Sequence, residues 1–462
     1  MITEQISRAK IRLGDWYRWN FEWRNIPQAI LVDEIPTGDW GGCQLFIHDI
    51  NNDGKPEFLW LQSCGIFKSK LYLTGNNDRS KYLSQYGQDH FCLTATSPSG
   101  ELFWQIGKPY SGSAPYLSHA TERMITCCDL DGDGKIEVIT FNGSDELLVL
   151  DGISGSIKDS LRLPADNFAI VKFGRTGTGP GDFHLLVGVM ADAYPPYSYA
   201  NPWLFFDPQL DLIHEGEYIG SGHQIIPFDP DQDGQDEFLI GYQFVDTDGQ
   251  VIWTLDDWSE KPILPIEQHV DHAEVYWSDR KWFAALSGSD EQYWIDSSGK
   301  TIWKRKLPHP QYCILGHEAG ELRIFVINQR EGMSCFDAKG EEIWQGIIPE
   351  NWPKGRPRNA FHPRPIHVTI PADKVTLIQG DSSSKELILY KEGGWPYVIN
   401  FRGQPVYRFP PGDLCKIQSL DTPITRINNL GLSYEAEVYD VNGDGRQEVI
   451  IYNREFASIY SL

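Results

Sequence analysis

Cysteine is scarce in this chain of 462 residues: 8 in all, at positions 43, 64, 92, 127, 128, 313, 335 and 415, with no Cys-x-x-Cys. That excludes a disulfide framework and a cysteine-built zinc module, and leaves the thiols as small hydrophobes inside strands in a reducing setting. Long apolar runs are missing, which excludes a membrane-spanning helix. The segment 1–13 is charged throughout and has no apolar signal core, so the expected location is the cytoplasm, with secretion the alternative if a leader has been removed. Positive charge is in deficit. Lys and Arg total 40 against 64 Asp and Glu, and a net charge of −24 repels nucleic acid and anionic membrane surfaces. A serine nucleophile elbow, a His-Glu-x-x-His zinc motif and a phosphate-cradling glycine loop are all absent.

What is present is turn chemistry and bulk. With 43 Gly, 29 Pro and 13% aromatic residues, and no sustained helical period, the composition suits an all-β protein of many short strands. Four acidic nonapeptides repeat along it: Asp49-Ile-Asn-Asn-Asp-Gly-Lys-Pro-Glu57, Asp129-Leu-Asp-Gly-Asp-Gly-Lys-Ile-Glu137, Asp229-Pro-Asp-Gln-Asp-Gly-Gln-Asp-Glu237 and Asp440-Val-Asn-Gly-Asp-Gly-Arg-Gln-Glu448. Apolar segments flank each, so each loop joins two strands. Oxygen side chains at positions one, three, five and nine can surround a structural Ca²⁺: Asp49, Asn51, Asp53 and Glu57; Asp129, Asp131, Asp133 and Glu137; Asp229, Asp231, Asp233 and Glu237; Asp440, Asn442, Asp444 and Glu448. The 129–137 loop is the best candidate, because its three early ligands are all Asp. The alternative is a metal-free Asx-turn network in which the carboxylates accept backbone N–H bonds.

A second repeat, a turn of the form Asp/Ser-x-x-Gly followed by an apolar pair and Trp, ends at Trp104, Trp253, Trp303 and Trp344, with looser copies near 151, 207 and 401. These tryptophans read as packing between repeats. The hairpins number seven, whereas inner-strand starts number eight, near Cys43, Arg123, Phe168, His223, His272, His309, His367 and Tyr434. Such periodicity over the whole of 1–462 predicts a single β-propeller domain, eight blades favoured and seven the alternative. The last repeat (434–462) runs out after three strands, so segment 1–39 is expected to close the ring, with the closing strand placed within 11–24.

If the acidic loops mark one face, the inner strands start on the other. Counting six residues back from each loop's first Asp lands on Cys43, Arg123, His223 and Tyr434. Of 12 histidines, His119, His223, His272, His309 and His362 or His367 gather at such starts. Convergent titratable groups around a central concavity mark a functional mouth. Second-strand ends add Tyr242, Arg330 and the run containing Tyr194, Tyr197 and Tyr199, whose aromatic faces suit sugar rings. Trp40, Tyr194, Tyr197, Tyr199, His272, His309 and Arg330 are the candidate substrate-binding residues.

The acidic loops resemble the FG-GAP or VCBS-type propeller repeat. Together with the Trp hairpins, with Ser118-His-Ala-Thr-Glu-Arg123 ahead of one acidic loop and Gly222-His-Gln ahead of the next, the region 40–462 resembles the propeller polysaccharide lyases: rhamnogalacturonan lyases, with eight blades, and ulvan lyases, with seven. The resemblance implies β-elimination next to a uronic acid, at a rhamnose–uronate type linkage, in an acidic oligosaccharide or polysaccharide. It implies Arg123 or Arg330 as neutraliser of the uronate carboxylate, His119 or His223 as base, and Tyr242 or a tyrosine of 194–199 as acid. Two other readings use the same disc: a non-catalytic glycan-binding or scaffold propeller, and a glycoside hydrolase with paired carboxylates such as Asp290 and Glu291.

Overall fold

Short runs of β-branched and aromatic residues, each stopped by a Gly-, Asp- or Pro-bearing turn, form antiparallel sheets in strict chain order. The computed structural model describes residues 11–12, 27–41, 44–63, 91–109, 124–189, 197, 200–259, 268–328, 332–347, 366–369, 386–390, 397–403, 405–414, 435–453 and 455–462. Among these, eight sheets of at least four strands follow one another. Their first strands are Gln44–His48, Ile125–Cys128, Phe168–Arg175, Ile225–Phe228, Val270–Ser278, Pro310–Glu318, Ile366–Thr369 and Glu435–Tyr439. Each starts within two residues of a start counted in the sequence. First strands of most neighbouring sheets lie against one another, and Glu435–Tyr439 returns to Gln44–His48. The result is a β-propeller with the first strands lining its axis.

Closure comes from the N-terminal segment, but not from where the sequence suggested. Strand Ile30–Pro36 pairs antiparallel with the final strand Phe456–Ser461 and completes the last sheet. Residues 11–24 do not supply that strand; Ile11–Arg12 instead pairs in parallel with Gly346 and Ile347 at the outer edge of the sixth sheet. The reason is pattern. Ala29 and Ile35 are buried while Ile30 and Val32 are exposed, the one-sided burial of an outermost strand, whereas the Trp-rich stretch 12–19 has no comparable run of β-branched residues.

The Trp-ended hairpins join third to fourth strands. Their first residue caps the turn: Asp246 Oδ1 accepts the backbone N–H groups of Asp248 and Gln250, and Asp337 Oδ1 accepts those of Lys339 and Glu341. The Trp of the fourth strand then lies on the turn glycine of the next sheet. Trp104 meets Gly155, Trp253 meets Gly299, Trp303 meets Gly340 and Trp344 meets Gly403. Three of these indoles also donate across the junction: Trp104 to Gly152 O at 2.8 Å, Trp303 to Ala338 O at 3.1 Å and Trp344 to Phe401 O at 2.6 Å. Packing between sheets is therefore the role of these tryptophans. The described cysteines 92, 127, 128, 313 and 335 are buried free thiols. No helix among the described residues is long and apolar enough to cross a membrane.

Removal of residues 1–25 should leave closure intact, while removal through residue 36 should strip the pairing from Phe456–Ser461 and cause aggregation on heating. Thermal melts with light scattering compare the two truncations; a longer truncation as soluble and heat-stable as the full chain would overturn this mode of closure.

Candidate functional site

Three successive inner strands bring their N-terminal ends together around one carboxylate. Asp271, on Val270–Ser278, has a side chain only 1% exposed. Its Oδ1 lies 3.1 Å from His269 Nε2 and 3.4 Å from His223 Nε2, and accepts a hydrogen bond from Gln311 Nε2. His309 Nε2 lies 3.5 Å from Oδ2. His223 precedes the fourth inner strand, and His309 and Gln311 come from the start of the sixth. The imidazoles stand edge to face, 5.7 Å apart for His223 and His269 and 5.8 Å for His269 and His309. His309 adopts φ 58°, a left-handed backbone that non-glycine residues hold only when their surroundings require it.

Burial alone would push the Asp271 carboxyl up; His269 and His223 outweigh it and hold the group well below the usual carboxylate range. His269 is fixed from both sides, with Nδ1 3.3 Å from Ser289 Oγ and the backbone N–H donating to that oxygen at 2.9 Å. His223 and His309 are more open, at 11% and 21% side-chain exposure.

The structure sorts the sequence candidates. His223 and His309 fall in the cluster. His269 and Asp271 belong to it and were not predicted; the signal was His-x-Asp at 269–271, two residues sharing one side of an extended segment. His272 is turned away, its Nδ1 3.6 Å from Cys313 Sγ and its ring 5.4 Å from Tyr312, between the fifth and sixth sheets. Tyr242 is 2% exposed and stacks on Trp258 at 4.1 Å, so it is a core residue and does not present a proton donor to the channel. Trp40 packs 6.0 Å from Trp60 between the last and first sheets. Tyr197 sits edge-on to Phe168, at the start of the third inner strand, 5.5 Å between ring centroids. Glu291 accepts the Tyr293 hydroxyl and meets Lys304 at 3.6 Å, which ties up one member of the Asp290–Glu291 pair. His119, Arg123, Tyr194, Tyr199 and Arg330 lie outside the described residues.

At the opposite ends of the first strands, the four acidic loops share a backbone scheme and differ in what faces the ninth-position Glu. The first Asp accepts the sixth-position Gly N–H in each, at 2.8 Å for Asp49, 3.1 Å for Asp129, 3.0 Å for Asp229 and 2.8 Å for Asp440. In 49–57 and 440–448 an amide meets the Glu: Asn51 Nδ2 donates to Glu57 at 2.9 Å and Asn442 Nδ2 to Glu448 at 3.2 Å. In 129–137 an ammonium does. Lys158 Nζ lies 2.6 Å from Glu137, 2.8 Å from Asp131 and 3.7 Å from Asp133, although Asp129 Oδ1 is buried and unpartnered. In 229–237, Glu237 Oε2 is buried without a hydrogen bond, and burial, with Asp231 next, pushes its carboxyl up to about 7. Asp229, Asp231 and Asp233 bring ligand oxygens within 4.8 Å of one another. Asp129, Asp131 and Glu137 bring theirs within the same 4.8 Å, so both loops hold oxygen donors of the kind Ca²⁺ takes, with Lys158 placed against those of 129–137.

Comparison with solved structures follows from this fold. The exotype rhamnogalacturonan lyase YesX matches with a TM-score of 0.59 at 15% identity, over 94% of this chain and 74% of that one. Rhamnogalacturonan lyase YesW matches with a TM-score of 0.53 at 14% identity over the same shares, 94% and 74%. BamB from Moraxella catarrhalis matches with a TM-score of 0.52 at 12% identity, over 94% of this chain and 100% of that one. No family model matches the chain, and no curated protein matches it by sequence. At these identities the likeness establishes the propeller fold, which lyases share with other propellers.

Two predictions follow from the charges. Lys158→Ala removes the internal cation of 129–137 and should cost about 1–3 kcal/mol of stability in calcium-free buffer, with millimolar Ca²⁺ restoring part of it; scanning calorimetry with and without the ion decides. Glu274 on Val270–Ser278 accepts the Leu315 N–H at 2.7 Å, and burial pushes its carboxyl from the ordinary 4.5 up to about 8. A carboxyl raised in the folded state contributes stability that is complete below about 4.5 and is lost as pH rises through about 8. Glu274→Gln should therefore flatten the fall in melting temperature across that window, and an unchanged pH profile would remove Glu274 as its source.

Proposed function

We propose that the protein is a carbon–oxygen lyase that cleaves a glycan next to a uronic acid by β-elimination at the histidine-lined mouth. The supporting observation is the convergence of His223, His269 and His309 on buried Asp271 at the axial end of three inner strands, on a fold with likeness to rhamnogalacturonan lyases. The substrate class is an acidic oligosaccharide or polysaccharide of the rhamnose–uronate type.

The chemistry needs a base for the proton on C5, a group that neutralises the adjacent carboxylate, and an acid for the leaving oxygen. His269 is held at both ring nitrogens by Asp271 and Ser289, which suits a positioning residue. His309, the most exposed of the three imidazoles and backed by Asp271, takes the C5 proton in this reading, with His223 as the alternative base. The C5–H electron pair forms the C4=C5 double bond, the C4–O bond breaks, and the leaving oxygen takes a proton. Burial raises the Tyr197 hydroxyl, which keeps it protonated and suited to that donation. Neutralisation of the carboxylate was assigned on sequence to Arg123 or Arg330, and remains with them or with the centre considered below.

The BamB likeness supports a second reading, a propeller whose surface binds without catalysis. A single assay separates the two. Uronate-containing oligosaccharides should yield an unsaturated product with new ultraviolet absorbance, and His309→Ala should lower its rate by about 10²–10⁴-fold, His223→Ala by less. Binding of the oligosaccharide with no unsaturated product would establish the second reading and end the first.

A further inference from the structure

We propose that His223 Nε2, His269 Nε2 and the Asp271 carboxylate form a binding centre for a divalent first-row transition ion of the zinc type, with His309 at its more open side. Two features of the cluster are hard to satisfy with hydrogen bonds alone. Three nitrogens, those of His269, His223 and Gln311, crowd onto Oδ1, although a carboxylate oxygen offers two lone pairs. Oδ2, in contrast, is buried and accepts no hydrogen bond, with His309 Nε2 beside it at 3.5 Å. An unsatisfied carboxylate oxygen in a site this dry is costly, and a cation is the usual remedy.

The distances match a metal shell. Zinc ligands at about 2.0–2.1 Å in tetrahedral array lie about 3.3 Å from one another. The observed nitrogen–oxygen separations, 3.1 Å and 3.4 Å, bracket that value, and the ligand atoms of all three residues fall within 4.8 Å of one another. Outer partners are in place as well. Ser289 Oγ at 3.3 Å from His269 Nδ1 sets the tautomer that leaves Nε2 for the ion, and Gln311 orients the carboxylate. A nitrogen-rich donor set selects zinc-like ions over calcium, which separates this centre chemically from the oxygen-only acidic loops.

Three protein ligands leave a fourth position for water, His309 or a substrate oxygen. The ion's role, though not its binding, rests on the lyase reading: a divalent charge beside the uronate carboxylate would acidify C5, the task that otherwise needs an arginine.

The test uses the full chain, stripped by chelation and returned to buffer with excess Ca²⁺ so that the acidic loops are saturated. Zn²⁺ titrated by calorimetry should then bind as a single tight equivalent, and Co²⁺ should give the intense visible bands of a tetrahedral nitrogen–oxygen site. His269→Ala and Asp271→Asn should each weaken Zn²⁺ binding by about 100-fold or more. Should either variant fail to fold, His223→Ala, whose ring is partly exposed, carries the same expectation. No equivalent beyond the calcium-saturated background, or affinity unchanged in the folded variants, overturns the centre. The outcomes are independent of the lyase assay: metal bound without elimination removes the lyase and keeps the centre, and elimination by a protein that binds no Zn²⁺ keeps the lyase and removes the centre.

Discussion

An indole laid on a glycine sets the spacing of this propeller. At the junctions made by Trp104, Trp253, Trp303 and Trp344, the ring occupies the space where a Cβ on the next sheet's turn would stand. Gly155, Gly299, Gly340 and Gly403 all hold positive φ, between 67° and 80°, so the turn needs glycine for its backbone as well as for the room. The contact is repeated, apolar, and pinned at three junctions by an N–H bond to the facing turn. It fixes sheet against sheet at the rim, and a ring fixed at its rim has fixed strand ends at its axis. The histidine cluster depends on that: its members come from the fourth, fifth and sixth sheets, and two of those sheets are bounded by Trp253 and Trp303.

A buried Asp271 is tolerable only because of its neighbours. Removing a carboxylate from water costs several kcal/mol, on the order of what a whole domain has in reserve. His223, His269, His309 and Gln311 all face it. A polar network at the axial end of the strands costs more than apolar packing would, and convergent titratable groups of this kind make a candidate functional site.

Much of the architecture was legible in the sequence because its signals are local and repeated. The acidic nonapeptides located four first-to-second strand loops, and the Asp-x-x-Gly turns located the outer hairpins, since each turn's side chain caps its own backbone. The site was half legible. His223 and His309 lie one or two residues ahead of their strands; counting back from an acidic loop gives the first, and the corresponding start in a repeat without such a loop gives the second. His269 and Asp271 were missed because the fifth inner strand was begun at His272; it begins at Val270, and an irregularity in register between Val270 and His272 shifts which side chains reach the axis. Tyr242 misled for the opposite reason. Its position at a strand end is right, but the stack on Trp258 and the edge contact with Tyr293 at 5.7 Å absorb it into the core, and no local pattern reports a partner 51 residues away in sequence.

The acidic loops carry the same lesson in electrostatic form. Any two of their sequences differ at four or five positions while sharing Asp, Asp, Gly and Glu at one, five, six and nine, and the ninth-position Glu meets an amide in two of them, an ammonium in the third, and in the fourth keeps a buried oxygen without a hydrogen bond. The ammonium comes from Lys158, on the outermost strand of the same sheet, which also approaches Asp131 and Asp133. Against the burial that would lower it, the hydrogen bonds to Asp131 and Glu137 hold that lysine above its ordinary value, which favours its charged form. A fixed lysine charge satisfies carboxylates that would otherwise call for a dissociable cation, and only a dissociable one would make stability depend on the surroundings. The repeat therefore encodes a turn, and what meets its ninth-position Glu differs from copy to copy: an amide from position three of the same loop at 49–57 and 440–448, and a lysine from another strand of the sheet at 129–137.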